Sequence, residues 1–431
     1  MQLLPSHSKN SVMRLRAVCS ALCVSCIAGA AFAQTVDTPQ TLTGDWGGLR
    51  TDLRNDGVDL TAGYTSETGW NFSGGGAERV RSSGQLAFGA TLDTEKLLGL
   101  EGGTFQTTLT YRHGDEMDLG LLQQTLEIYG RGQTWRLTQF WYAQKFAHDM
   151  ADVKIGRLTV GEDFAAASCD FMNLTFCGAQ PGNIVGDYWY NWPVSQWGGR
   201  LRLKDDDRTL QIGFYEANPR NLERNVFDWW GCGATGVLIP VELGITPNAA
   251  LNGLPGDYRL GGWYDTSGGD DLARDVHHLP RALTLDAPLH RSGRYGLYVM
   301  AQQQLTGTAD GAHTTSGLTV ALRFSQADTK TAAIDSQLTL ALTYMGALPS
   351  RPADVIGFAI GRTHANPRAF DFSAIPASLQ PGSEYAGELY YGFDVLGWLT
   401  LRPNLQYVIH PGGLRQLSDV AVLGLKAGVT L

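Results

Sequence analysis

Ten polar side chains stand out by type and spacing: Arg112, Arg136, Arg200, Arg202, Glu216, Arg323, Arg362, Glu388, Arg402 and Gln406. Planar guanidinium and carboxylate groups make two parallel hydrogen bonds at once, so a set of them facing water suits the vicinal hydroxyls of a small polyol. Each could equally pair with a neighbouring charge and serve structure alone. Motifs for covalent chemistry are absent: there is no Gly-x-Ser-x-Gly, His-Glu-x-x-His or Gly-x-x-x-x-Gly-Lys. No spacing singles out a carboxylate pair for glycoside cleavage. His277-His278 reads as a solvated loop pair, and Asp205-Asp206-Asp207 and Asp270-Asp271 read as polar turns. Nothing in the chain asks for a cofactor or a metal.

The elements that carry these residues are strands. Phe105, Thr107, Leu109 and Tyr111 alternate with Gln106, Thr108, Thr110 and Arg112. Leu318, Val320, Leu322 and Phe324 alternate with Thr319, Ala321, Arg323 and Ser325. Leu399, Leu401, Leu405, Tyr407 and Ile409 oppose Thr400, Arg402, Asn404 and Gln406, and the last segment sets Leu423, Leu425 and Val429 against Gly424, Lys426 and Thr430. Period-two alternation places one set on each face. Roughly fourteen such runs are legible, each about nine to eleven residues, the length a tilted strand needs to cross a bilayer. Aromatics such as Tyr111, Tyr344, Trp398 and Tyr407 mark their ends, as interfacial girdles do. Asp163–Trp192 and Asn218–Asp257 read as long loops, at the surface or folded inward, and Leu119–Arg131 as helical or irregular. A soluble sandwich shows the same period, but it seldom carries Arg, Glu, Gln and Lys at mid-strand.

The amino terminus sets the compartment. Lys9, Arg14 and Arg16 precede a small apolar run from Ala17 that closes in Ala31-Phe32-Ala33, the form of a secretory signal peptide over residues 1–33. Removing it takes the formal charge from −9 to −12, which argues against nucleic acid as a partner. Cys19, Cys23 and Cys26 leave with it, and Cys169, Cys177 and Cys232 remain in an oxidising space. Cys169 and Cys177 bracket a short irregular stretch and are expected to form a disulfide staple, leaving Cys232 over. After residue 33 no stretch approaches eighteen consecutive apolar residues, so a membrane crossing would be made by strands. A mean hydropathy of −0.14 with 53 glycines fits a barrel with lipid on one face and water on the other.

Several blocks resemble the carbohydrate-selective porin family of OprB type. They are Leu42-Thr43-Gly44-Asp45-Trp46-Gly47-Gly48-Leu49-Arg50, Arg136–Tyr142, Lys154–Leu158, Cys169–Gly178, Glu388–Phe393 and Leu401–Gly413, in family order along the chain. Leu431 in place of an aromatic last residue, His410 where the family more often has Asn, and Cys232 depart from the pattern. The resemblance implies an all-β, transmembrane antiparallel β-barrel of sixteen strands, with long loops partly folded into the pore. It also implies passage of glucose and related sugars across the outer membrane of a Gram-negative bacterium.

Residues 34–56 would then form a periplasmic or lumen-docked segment, with Trp46 and Arg50 as an anchor or a gate, and 57–431 the barrel. Trp189, Trp192, Trp197, Trp229 and Trp230 would give a stacking vestibule or simply loop packing. The partners implied are small carbohydrates, outer-membrane lipid, periplasmic chaperones and the barrel-assembly machinery. The competing functions are a general pore of low selectivity and a β-rich enzyme acting on glycosides.

Overall fold

The computed structural model describes residues 40–223, 231–369 and 380–431. The segment 1–33 expected to be a signal peptide, with its three cysteines, and Trp229 and Trp230, lie outside the described residues. Sixteen strands form a closed antiparallel barrel. In chain order they are β1 (Val58–Ser73), β2 (Arg79–Asp93), β3 (Gly103–Gly114), β4 (Trp135–Phe146), β5 (Ala151–Leu158), β6 (Gln196–Asp205), β7 (Arg208–Ala217), β8 (Gly236–Ile245) and β9 (Gly256–Asp265). A small hairpin of β10 (Gly269–Asp275) and β11 (Pro288–Arg291) stands outside the wall. The wall resumes with β12 (Arg294–Gln304), and a three-residue strand, β13 (Thr308–Asp310), pairs with the start of β14 (His313–Ala327). β15 (Ile334–Met345), β16 (Val355–Ala365), β17 (Ser383–Asp394), β18 (Leu399–Ile409) and β19 (Val420–Thr430) complete it.

Each wall strand pairs with the next. The ring closes where β1 meets β19, with Tyr64 opposite Val429 and Trp70 opposite Leu423. Closure leaves no free sheet edge, the condition for a sheet in lipid. Because the strand number is even, both ends of the wall emerge on one side, the side of the short turns such as 147–150, 206–207 and 395–398. Long connections lie at the other end, so the short-turn side is periplasmic and the long-loop side extracellular. Outward residues are apolar and exposed, among them Leu243, Leu260, Leu297, Ile360 and Leu423. Outward Trp70, Tyr264, Tyr295, Tyr385 and Tyr407 ring the extracellular end, and Phe146, Tyr258, Tyr344 and Phe393 the periplasmic end. These are the two girdles expected at lipid–water boundaries.

Two expectations from sequence need correction. The segment Asn218–Asp257 is not one loop, because β8 runs through it. Pro240 disguises the strand: with no N–H to donate it interrupts the pairing with β7 between Ile212–Val241 and Tyr215–Leu238, while pairing to β9 continues. Asp271 is not a solvated turn residue. It is fully buried, accepting from Arg291 Nη2 at 2.6 Å, Arg368 Nη2 at 3.0 Å and the backbone of Ala273 and Arg274. Burial alone would raise its carboxyl, but these donors together hold it below the usual range. Leu119–Arg131 is irregular, with one short turn at Glu127–Tyr129.

The seam has its own clamp. The helix Leu49–Asn55 lies below β1, and its buried Arg50 donates to Thr41 Oγ1 (2.9 Å), the Leu60 carbonyl (2.9 Å) and the Leu431 carbonyl (3.1 Å). One guanidinium thus ties the first strand to the last residue, which makes it an anchor. Arg50→Ala leaves buried carbonyls unpaired and should cost about 1–3 kcal/mol. The expected result is barrel unfolding at a lower temperature in heat-modified gel mobility; an unchanged transition would show that the clamp is dispensable.

Candidate functional site

The two segments 115–134 and 159–195 fold into the barrel instead of out to solvent. The second supplies a cluster at one wall, where fully buried Phe164 and Trp189 pack with Tyr215, Trp263 and Tyr298. Trp189 meets Trp263 edge-on at 5.4 Å. Burial holds the Tyr188 phenol well above its ordinary range, so it stays neutral as it accepts from Trp263 Nε1 at 3.0 Å. At the opposite wall Phe171, Met172 and Phe176 pack with Leu126, Tyr390, Val408 and Val422. Here glycine is needed: a methyl on Gly361 would overlap Thr175, and one on Gly424 would overlap Met172. Within this loop Cys169 and Cys177 are disulfide-bonded. Cys232 is free and exposed.

Wall carboxylates hold the loops by their backbone amides. Glu388 accepts from Met172 N and Asn173 N, each at 2.8 Å. Glu384 accepts from Leu122 N (2.8 Å), Gln123 N (3.2 Å) and Gly412 N (2.8 Å). Glu67 takes Ile128 N at 3.1 Å, and Glu242 takes Ala165 N at 2.8 Å together with Tyr298 Oη at 2.8 Å. All four glutamates are buried. Lys426 answers Glu67 at 3.1 Å and Glu127 at 3.3 Å and donates to the carbonyls of Cys169 and Phe171.

Between the packed loops lies a cavity of about 1150 Å³. Its walls carry Arg112, Arg131, Arg259, Arg323, Arg402 and Lys426, against Glu127, Glu162 and Asp257, with Gln302, Asn191 and Trp192 among the neutral groups. Most of these cations are already engaged. Arg112 donates to Gln85 Oε1 (2.8 Å) and the Gly130 carbonyl (2.9 Å), and Gln85 Oε1 also takes Trp192 Nε1 at 3.0 Å. Arg259 is forked on Asp257, and Arg402 lies 3.1 Å from Asp170. Arg323 is different, with one long bond of 3.4 Å to the Phe176 carbonyl. Its remaining donors have no partner among the described residues.

The ten residues picked from sequence therefore separate. Arg112, Arg323 and Arg402 come together at the cavity. Arg136 faces inward but is spent on the carbonyls of Asn221 and Arg131, and Glu388 and Gln406 are spent on the loop. Arg200, at the middle of β6, pairs with Asp152 and Asp163, and Arg202, nearer its periplasmic end, with Asp152. Two lie on the outward parity of their strands and do not line the pore. Glu216 follows Ile212 and Phe214 and binds Trp197 N and Asn221 Nδ2 at the extracellular rim. Arg362 follows Phe358 and Ile360, opposite outward Leu338 and Tyr385. Of the three described tryptophans in this group, Trp189 is loop packing, Trp197 stacks under Arg157 and Trp192 alone reaches the cavity. Sequence reading missed Glu67, Glu242, Glu384, Arg259 and the role of Lys426. For Lys426 the signal was present, since it is the one charged residue of the last strand.

Comparison with known proteins decides the family. The family model described as "Carbohydrate-selective porin, OprB family" matches residues 77–431. The chain belongs to that family. It is 39% identical to Porin B of Pseudomonas aeruginosa, over 93% of this chain and 94% of the relative. It is 34% identical to the putative porin QuiX of Acinetobacter baylyi, over 90% and 92%. A high-pH structure of Pseudomonas putida OprB superposes with a TM-score of 0.85 at 40% identity, covering 91% of this chain and 99% of that one. The chain is thus an outer-membrane sugar porin of a Gram-negative bacterium, a channel rather than an enzyme.

Because Glu388 is the sole side-chain acceptor for two adjacent loop amides, its removal should free the disulfide-bearing segment. Glu388→Ala is expected to raise single-channel current noise and weaken sugar block several-fold. Quiet channels with unaltered block would mean that the loop stays in place without it.

Proposed function

We propose that sugars cross this barrel by passive diffusion through the cavity between the inward loops, with Arg323 as the principal donor to their hydroxyls. One observation carries the reading: Arg323 lines the cavity with a nearly unused guanidinium, while the other cavity arginines are held by protein acceptors. Gln302 and the exposed side of Glu162 supply further polar contacts at the same cavity, and Trp192 offers an aromatic face to a sugar ring. Arg402 contributes from the far wall, partly neutralised by Asp170. A neutral polyol gains hydrogen bonds here and is neither drawn in nor repelled by the cavity's net positive charge. Each bond is worth about 1 kcal/mol net, enough to favour entry and too little to trap.

The same reading gives residues 1–33 as the cleaved leader and 34–56 as the periplasmic segment carrying the Arg50 clamp. It also makes periplasmic chaperones and the barrel-assembly machinery partners of the exported chain.

Planar-bilayer recordings with glucose titration test the proposal. Arg323→Ala is expected to keep the channel open and to weaken sugar block by about three- to tenfold, the effect of one or two lost hydrogen bonds. Block that is unchanged would remove Arg323 from the path. Block of equal strength by unrelated neutral solutes would favour a general pore.

A further inference from the structure

Arg362 is left over from the channel, and its surroundings suggest another ligand. Its neighbours along β16 fix the direction: methyls on the inward residues Gly357 and Gly361 would overlap Tyr390 and Thr175, whereas Phe358 and Ile360 are exposed to lipid. Register sets it opposite Leu338 on β15 and Tyr385 on β17, so it stands level with the extracellular aromatic girdle. Among the described residues its one side-chain bond runs from Nε to Ser383 Oγ at 2.7 Å, a neutral acceptor. The nearby carboxylate of Asp335 is taken by His364 at 2.7 Å. The outward positions of the described wall strands carry one other arginine at this end, Arg157. That residue is covered by Ser195 and Asn221.

A cation facing lipid is tolerated near the interface and costly toward the midplane. Left among the described residues with only a hydroxyl, its two terminal nitrogens need an acceptor from the membrane. In the outer leaflet at this depth the acceptor is a phosphorylated glycolipid, and a planar guanidinium fits a phosphate in bidentate fashion. We infer that Arg362, supported by Ser383 and flanked by Tyr385, binds a phosphate on the sugar headgroup of the outer-leaflet glycolipid. The site lies outside the pore and does not depend on how sugars pass.

The test is binding of diphosphorylated lipid A, and of the same lipid after enzymatic dephosphorylation, to the full barrel in mixed micelles. Wild-type protein should bind the phosphorylated form about tenfold more tightly than Arg362→Gln, as for one lost charge-assisted contact. Arg362→Lys should retain most of the binding. Glucose-blocked conductance, the same in all three, shows that each barrel is folded. Equal binding by wild type and Arg362→Gln overturns the proposal, as does equal binding of the dephosphorylated lipid. Displacement of the lipid by an equal concentration of inorganic phosphate overturns the lipid assignment in favour of a free anion.

Discussion

The pore depends on carboxylates of the barrel wall accepting hydrogen bonds from backbone amides of the inward loops. A segment without regular structure cannot satisfy its own N–H groups, and in a narrow lumen water cannot reach all of them. Glu67, Glu242, Glu384 and Glu388 supply the missing acceptors from three strands, β1, β8 and β17. Hydrogen bonds to a charged acceptor are worth about 1.5–3 kcal/mol each, roughly twice a neutral one. Glu388 binds consecutive amides, which fixes the direction of the chain at Met172–Asn173 as well as its position. Apolar contacts alone would hold the loop but let it slide.

That arrangement explains why an acidic protein has a cationic cavity. The glutamates point at loop amides and are buried, so their charge is consumed within the wall, with Lys426 closing the balance at Glu67 and Glu127. The arginines of the opposite faces stay near the open space. Engaged arginines such as Arg112 and Arg259 set the shape of the opening, because their guanidinium planes are held by two or three acceptors. Arg323 can answer a passing solute because nothing else holds it firmly. Rigidity and availability are divided among residues of one type, and the count of acceptors around each decides which role it has.

The fold was legible in the sequence to the extent that each strand has two unlike faces. Runs such as Phe105–Arg112 and Leu318–Ser325 announce their parity, and the structure keeps it. Gly-rich β16 offers Gly357, Ala359 and Gly361 on the inward side, so Thr363 near its end is the one polar residue there and no charge marks the lumen. The one conspicuous charge, Arg362, lies on the lipid side. Polarity alone therefore assigned it to the wrong face. The glutamate anchors were illegible for another reason. Glu388 and Gln406 lie on the expected face, but their partners are Asn173 and its neighbours, more than two hundred positions away and in a segment with no period at all. Alternation tells which way a side chain points, not whether a loop is waiting there.

The position of the disulfide fits this division. Cys169 and Cys177 close a short ring around Asp170–Phe176, the part of the loop that supplies the amides for Glu388 and the carbonyls for Lys426 and Arg323. A short covalent ring limits the conformations available before docking, so less entropy is lost when Glu388 engages it. The ring also carries Phe171 and Phe176, which pack against each other at 5.4 Å, and Phe171 against Tyr390 at 4.9 Å. Covalent, apolar and charge-assisted constraints thus converge on one seven-residue stretch beside Arg323. The most mobile kind of backbone in the lumen is held most firmly where the opening must keep a constant size.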